Sequence, residues 1–527
     1  MNTRSGSLRS RSALAFASGL LAIAAASIAQ TTGPQNAAAA PAAASTADPL
    51  SADVRQRGEA IARKAIDFLR TQQDPATGGW SVPTEPGRPH LPAISSLVLT
   101  GMLMQPGLDH RDAHIARGAA YVLSFARDDG GIYDSMLPVY NTAISISMLT
   151  RLNTPEALAR IAPGVEFLKR SQWGAPEPVG IAGTGKETPA VVTADNPNFG
   201  GLGYGNRGRP DLSNLAFTIQ AWHDAGLPKD DPAFARAITF LQRVQMLEKL
   251  PDGTPVNDMA YAKGSTQGGF IYATGENEQT TGQGNSWAGM IEETLSDGTK
   301  ASRLRAYGSV TYSGFKSYIY AGLTPTDPRV KAAVNWTRDN YTLAENPGLG
   351  TDGYYYYIAL FGRAMKALGR DSIEVTRFAP YRSTIWVSGL RDGAEANDLR
   401  NAFSAHGKVA GVTLVPDPRT GKPTGNAFVQ FAAEDEARKA AASMNGAEVL
   451  GTPITTSMTN SPDVPQVRNW RADLIAQLEL MQNADGSFRS VDDRWMENNP
   501  SLITAYALLS LQEALRDGAA APSAESK

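Results

Sequence analysis

The stretch that most constrains this chain is Lys64 to Trp80, K-A-I-D-F-L-R-T-Q-Q-D-P-A-T-G-G-W, because the chain uses its pattern again. Ile61, Ala65, Phe68 and Leu69 fall at helical spacing and give one apolar face. Asp74-Pro75 and then Gly78-Gly79 stop the helix, since proline lacks a donor and glycine accepts a left-handed turn. Gln73 is expected to bond the free carbonyls of the last turn, with Trp80 folded back over it. Weaker copies follow. They are Arg117-Gly118 with Tyr121-Val122 and Gly130-Gly131, and Pro163-Gly164 with Phe167-Leu168, Gln172 and Gly200-Gly201. Phe240-Leu241 with Gln245 and Gly268-Gly269-Phe270 is a fourth; Val334 to Tyr341 and Leu478 to Phe488 are the fifth and sixth. Six copies in one chain predict a repeat architecture.

Helices pair along the chain, an amphipathic member and then one apolar on every side. The pairs are expected at 53–73 with 91–105, 110–126 with 138–152, 155–172 with 211–225, 231–248 with 305–322, 326–340 with 353–368, and 466–482 with 500–515. Helices apolar all round are buried all round. The prediction is a mainly α fold, a closed (α/α)6 toroid with six helices outside, six inside, and inner N-termini gathered at one mouth. The repeats resemble those of the squalene cyclase and protein prenyltransferase superfamily: Lys64, Phe68-Leu69, Gln73 and Gly78-Gly79-Trp80 match its pattern of basic residue, aromatic-aliphatic pair, Gln, Gly and Trp. That resemblance implies two chemistries, and the sequence carries the motif of neither. The cyclase acid motif D-x-D-D is absent, since Asp128-Asp129, Asp230-Asp231 and Asp492-Asp493 are isolated pairs read as solvated turns. The prenyltransferase zinc needs a cysteine, and this chain has none.

Between the fifth and sixth pairs the texture changes. Thr384 to Leu390 reads as a strand, Glu395 to Phe403 as a helix, Val409 to Leu414 as a strand, and Asp417 to Gly425 as a hairpin loop. Asn426 to Phe431 is a third strand, Glu434 to Met444 a second helix, and Pro453 to Met458 a fourth strand, a ferredoxin-like βαββαβ order. The strands I-W-V-S-G-L and T-G-N-A-F-V-Q-F resemble the two signatures of an RNA recognition motif (RRM). The resemblance implies RNA-binding positions at Trp386, Asn426 and Phe428, where the family stacks bases on its sheet. The chain departs from the family in placing Thr424 where a basic residue is usual and Asn426 where a third aromatic is usual. Thr384 to Met458 holds seven Lys/Arg against eight Asp/Glu, so the basic footprint of an RNA binder is missing.

Polar and aromatic residues stand ahead of each inner helix: His90, Asn141, Asp211 with Asn214, Tyr312 with Lys316, Tyr355 and Tyr356 within Tyr354 to Tyr357, and Trp495 beside Arg494 and Asn499. In a toroid these converge on one mouth as a cavity for an apolar ligand, where helix N-termini favour an anionic or carbonyl group. Asp211 and Asn214 read equally well as helix caps. His110 and His114 lie four apart, but no third ligand accompanies them, so no metal and no cofactor is expected. Gly200 to Gly205 mimics a phosphate loop without a preceding strand and is read as the third clasp.

The chain has 527 residues and a net charge of −3, so no bulk electrostatic pull toward nucleic acid or an anionic membrane is expected. Arg4, Arg9 and Arg11 precede an apolar run from Ala13 to Ala26 and a small-x-small site at Ser27 to Ala29. That pattern predicts a secretory signal over 1–29 and an exported protein, an uncleaved anchor being the alternative. The expected division continues with an Ala/Pro-rich disordered spacer at 30–50, toroid at 51–378, RRM-like insertion at 380–460, toroid at 464–516 and a disordered tail at 517–527. Three readings of function stay open. The first is an exported toroid that binds, or binds and transforms, an apolar or terpenoid-like molecule. The second is a scaffold whose RRM-like domain meets single-stranded RNA or a protein. The third is a polysaccharide-acting α/α barrel, for which Asp211 and Glu497 are the candidate carboxylates.

Overall fold

The computed structural model describes residues 50–178, 191–205, 209–275, 285–375, 383–416, 423–458, 466–490 and 493–517. The expected signal over 1–29, the spacer up to residue 49 and the tail from 518 lie outside the described residues. Helix accounts for about 47% of the described residues, alongside an RRM-like β domain.

Several helices begin where a side chain caps their first N–H groups. The first ten are α1 (Ala52–Thr71), α2 (Pro92–Leu103), α3 (Ala113–Leu123), α4 (Pro138–Leu152), α5 (Pro155–Arg170), α6 (Leu212–Asp224), α7 (Pro232–Val244), α8 (Gly308–Tyr320), α9 (Pro328–Asp339) and α10 (Tyr354–Leu368). Thr154-Pro155, Asp231-Pro232 and Asp327-Pro328 each place a capping oxygen at the N-cap and proline at the next position, which lacks the N–H that would go unpaired. After the inserted domain come α13 (Trp470–Met481) and α14 (Pro500–Leu515). Every residue from Pro92 to Met102 in α2 and from Ser501 to Leu515 in α14 is buried. In chain order α2 packs on α4, α4 on α6, α6 on α8, α8 on α10, α10 on α14, and α14 on α2, so the succession returns to its start.

Four glutamine clasps each join one amphipathic helix to another. Gln73 Nε2 donates to Gly78 O at 2.8 Å and to His114 O, at the start of α3, at 2.9 Å. Gln172 makes the same pair with Gly200 O and Ala233 O, and Gln245 with Gly268 O and Arg329 O. Gln482 donates to Gly486 O and to Ile61 O in α1, which ties the last repeat to the first. The expectation that Gln73 bonds its own last turn is therefore corrected. Trp80 Nε1 takes that carbonyl, Leu69 O at 2.7 Å, and leaves the glutamine amide for the neighbour. A clasp glycine of positive φ sits against a backbone carbonyl of the neighbouring amphipathic helix: Gly78 on Arg117, Gly268 on Ala332, Gly486 on Lys64.

The long segment before α8 is not all loop. Strands β1 (Met290–Thr294) and β2 (Lys300–Leu304) form an antiparallel hairpin turning at Asp297-Gly298. Where the chain leaves and regains the helices, β3 (Ser372–Val375) pairs antiparallel with β10 (Gln466–Asn469), a neck that holds both ends of the insertion. Between them lie β4 (Thr384–Ser388), α11 (Ala396–Phe403), β5 (Val409–Pro416), β6 (Pro423–Phe431), α12 (Glu434–Met444), a small hairpin of β7 (Glu448–Val449) and β8 (Thr452–Pro453), and β9 (Thr455–Met458). The sheet order is β5-β6-β4-β9, antiparallel throughout. No described helix is long and apolar enough to cross a membrane.

Candidate nucleic-acid interface

Alternation along β4 and β6 sorts their side chains between two faces. Ile385, Val387, Ala427, Val429 and Phe431 are buried in a core with Leu399 and Phe403 of α11 and Ala437, Ala440 and Met444 of α12. The other face carries Thr384, Trp386 and Ser388 on β4, paired with Gln430, Phe428 and Asn426 on β6. Trp386 and Phe428 are directly opposite, half-buried, with ring centroids 4.9 Å apart at 64°. Two adjacent π-faces at the centre of a sheet form a platform on which unstacked bases gain contact whatever their identity. The Thr424 side chain lies outside the described residues.

This face does not stand clear of the helices. Thr384, Gly411, Phe428 and Gln430 line one wall of a cleft of about 360 Å3, and Thr351, Tyr354, Tyr355, Leu480, Met481 and Arg489 are among the residues of the other. Gln430 Nε2 donates to Ala344 O across it, and Lys408 Nζ lies 3.7 Å from Asp352 Oδ1.

A second space lies between the buried helices. It measures about 240 Å3 and is lined largely by rings: Tyr140, Tyr204, Phe217, Tyr272, Trp287, Tyr307, Tyr356, Trp495 and Tyr506. The Arg494 guanidinium lies 4.8 Å from the Trp287 ring and 4.4 Å from that of Trp495, and is paired with Asp352 at 2.6 Å. Of the residues expected around a cavity, Tyr356 and Trp495 line this one and Tyr355 lines the cleft. The others have local partners. His90 Nδ1 contacts Tyr121 Oη at 2.9 Å. Asn141 Oδ1 accepts from Ala93 N at 3.0 Å and its amide donates to Met136 O and Leu137 O. Asp211 N-caps α6, accepting from Asn214 N at 2.9 Å and Asn214 Nδ2 at 2.7 Å, and burial pushes its carboxyl up to about 6. Tyr312 packs against Phe315, Tyr357 and Phe361. Lys316 is buried, donates to Gln220 Oε1 at 2.8 Å, and is pushed down to about 7 by desolvation and then by Arg363. Glu497 Oε1 accepts from Tyr356 N at 2.9 Å in the first turn of α10, so Asp211 and Glu497 both serve helix ends. His114 Nδ1 lies 2.7 Å from Gln73 Oε1, within the first clasp. Among the described residues no three His, Asp or Glu form a metal-binding group.

The sequence reading missed Tyr140, Tyr204, Tyr272 and Tyr307 as cavity walls. They come from loops and helix ends far apart in the chain, and no local spacing marks them.

A family model for the RNA recognition motif matches residues 385–455. Residues 385–455 are an RNA recognition motif. Similar curated proteins share this segment. The U11/U12 small nuclear ribonucleoprotein 31 kDa protein of Arabidopsis thaliana is 39% identical over 80 residues, 15% of this chain and 31% of that protein. A human zinc finger CCHC-type and RNA-binding motif-containing protein is 38% identical over 80 residues, 15% of this chain and 37% of its own length. The mitochondrial glycine-rich RNA-binding protein 4 of Arabidopsis thaliana is 36% identical over 76 residues, 14% of this chain and 56% of that protein. The chain thus spans between about a third and just over half of these relatives. Among solved structures, the second RRM domain of the yeast poly(U)-binding protein is 30% identical, with 14% of this chain and 89% of that chain covered and a TM-score of 0.14.

The expectation of export is overturned. The RNA recognition motif at 385–455, shared with relatives named as small nuclear ribonucleoprotein and RNA-binding proteins, counts against an exported protein.

Proposed function

We propose that this protein binds single-stranded RNA through the sheet of its RNA recognition motif, held by a neck of two strands between the last helix pairs of a closed (α/α)6 toroid. The observation that carries the RNA reading is the Trp386–Phe428 pair on the face of β4 and β6 turned away from the RRM core. The names of the relatives, which describe RNA-binding and ribonucleoprotein components, support it. The toroid is supported by the return of α14 to α2 and by the Gln482 bonds to α1. A filter-binding titration of the full chain with a short unstructured RNA tests the function. Micromolar binding should weaken by about 1–3 kcal/mol on Trp386→Ala and again on Phe428→Ala, the usual worth of a stacked base. An unchanged isotherm in both variants would sink it.

The ring-lined space of about 240 Å3 favours a second reading, an apolar ligand held between the helices. Its support is the lining and nothing catalytic. Mass spectrometry of what co-purifies from a lipid extract tests it. A retained apolar molecule, lost on Tyr356→Trp, is the expected result, and an empty spectrum from the parent protein ends the reading.

A further inference from the structure

The cleft beside the RRM sheet has two walls, and only one belongs to the RRM. From β6 come Phe428 and Gln430; from α10, α13 and their flanks come Thr351, Tyr355, Met481 and Arg489. Its volume of about 360 Å3 falls within the roughly 300–1,000 Å3 of small-ligand sites. The walls are held in register. Gly350 sits so close to the carbonyl of Ala432 that any Cβ there would overlap it, and its φ is +61°. The Gln430 amide bond to Ala344 O and the Lys408–Asp352 pair span the same seam.

The far wall offers what the RRM lacks. The segment has no excess of cations, whereas Arg489 stands at the cleft with a largely exposed guanidinium whose carboxylate contact, Asp485, is at 3.4 Å. Thr351 lines the cleft with a buried hydroxyl that has no hydrogen-bond partner among the described residues. A buried unpaired hydroxyl costs stability unless a ligand completes it.

We propose that the helical body completes the RNA site: the cleft takes one unpaired nucleotide, its base against Phe428, its phosphate met by Arg489, and a polar edge met by the Thr351 hydroxyl. This rests on the RNA-binding reading above. It differs from RNA lying across a free sheet, because residues outside the RRM set the affinity.

The test uses the full chain and a fluorescein-labelled eight-nucleotide single-stranded RNA, read by anisotropy, with thermal unfolding of each variant as the control for folding. Arg489→Ala should weaken binding about five- to tenfold, as expected for a lost phosphate contact and cation. Thr351→Val should weaken it about threefold while the unfolding midpoint holds or rises, since an unpaired hydroxyl has been replaced by a methyl. A purely structural threonine would show the stability change and no affinity change, which would count against the proposal. If Trp386→Ala loses affinity while both body variants bind like the parent, the composite site is wrong and the RNA reading stands. Tighter binding by the body variants would also overturn it, by showing that the helices mask the sheet. No binding by the parent chain fails the RNA reading itself, and this inference with it.

Discussion

Lys316 is fully buried on α8 with one hydrogen-bond acceptor, Gln220 Oε1, and the Tyr320 ring 5.2 Å away. Burial first, then Arg363, pushes its ammonium down to about 7, against the opposing pull of Asp224 and Glu513. The unfolded chain holds that proton up to about 10.4, so between about 7 and 10 the unfolded state binds more protons and stability rises with pH. Lys316→Met should flatten that rise and add on the order of 2–4 kcal/mol at pH 7, checked by urea unfolding at pH 7 and pH 9.5. Parallel curves for parent and variant would mean that Lys316 is solvated after all. No local spacing marks this burial or the fates of His90 and Asn141, whereas the capping role of Asp211 is one of the two readings its position ahead of α6 allows. His90 and Asn141 read as free polar groups ahead of a helix, yet each is taken up by a residue 31 to 48 positions away. Spacing shows which face a residue occupies; it cannot show which backbone group will claim its side chain.

Elements were far more legible than individual contacts, because the helix period and the clasp pattern repeat. The Gly-Gly-Trp signature marks a real joint, but the partner of its glutamine belongs to the next repeat and so is invisible locally. The neck strands S-I-E-V and Q-V-R-N were missed since four residues carry too little alternation to register, and β1–β2 was missed although Asp297-Gly298 is a hairpin signal. The clasp makes a sharp prediction where the last repeat meets the first. Gly486 has φ +87° and lies against Lys64 O, so Gly486→Ala meets both a strained backbone and an overlap. It should cost about 2–4 kcal/mol in equilibrium unfolding. Gly253, with φ +87° but open space around it, is the control and should lose less. Equal losses at the two sites would show that the α13–α1 contact adds nothing beyond backbone strain.

At the scale of the whole molecule, two sequence signals disagreed, and the weaker in chemistry was the one that failed. An alanine-rich run preceded by arginines is composition alone, whereas Trp386 and Phe428 at matched register on neighbouring strands is a geometry that a sheet must build. The same scale decides how RNA affinity responds to salt. The net charge is −3 and the RRM segment balances seven cations with eight anions. Several of its cations are spent within the protein: Lys408 faces Asp352, Arg438 pairs with Glu434, and Lys439 with Asp435. Binding should therefore draw mainly on stacking, with phosphate contacts limited to about two. For single strands each neutralised phosphate adds roughly −0.7 to the slope of log K against log salt, so the slope should lie near −1.5. Affinity measured from 50 to 300 mM KCl checks this. A slope of about −4 or steeper would require a basic track elsewhere on the chain and would move the RNA path off the Trp386–Phe428 platform.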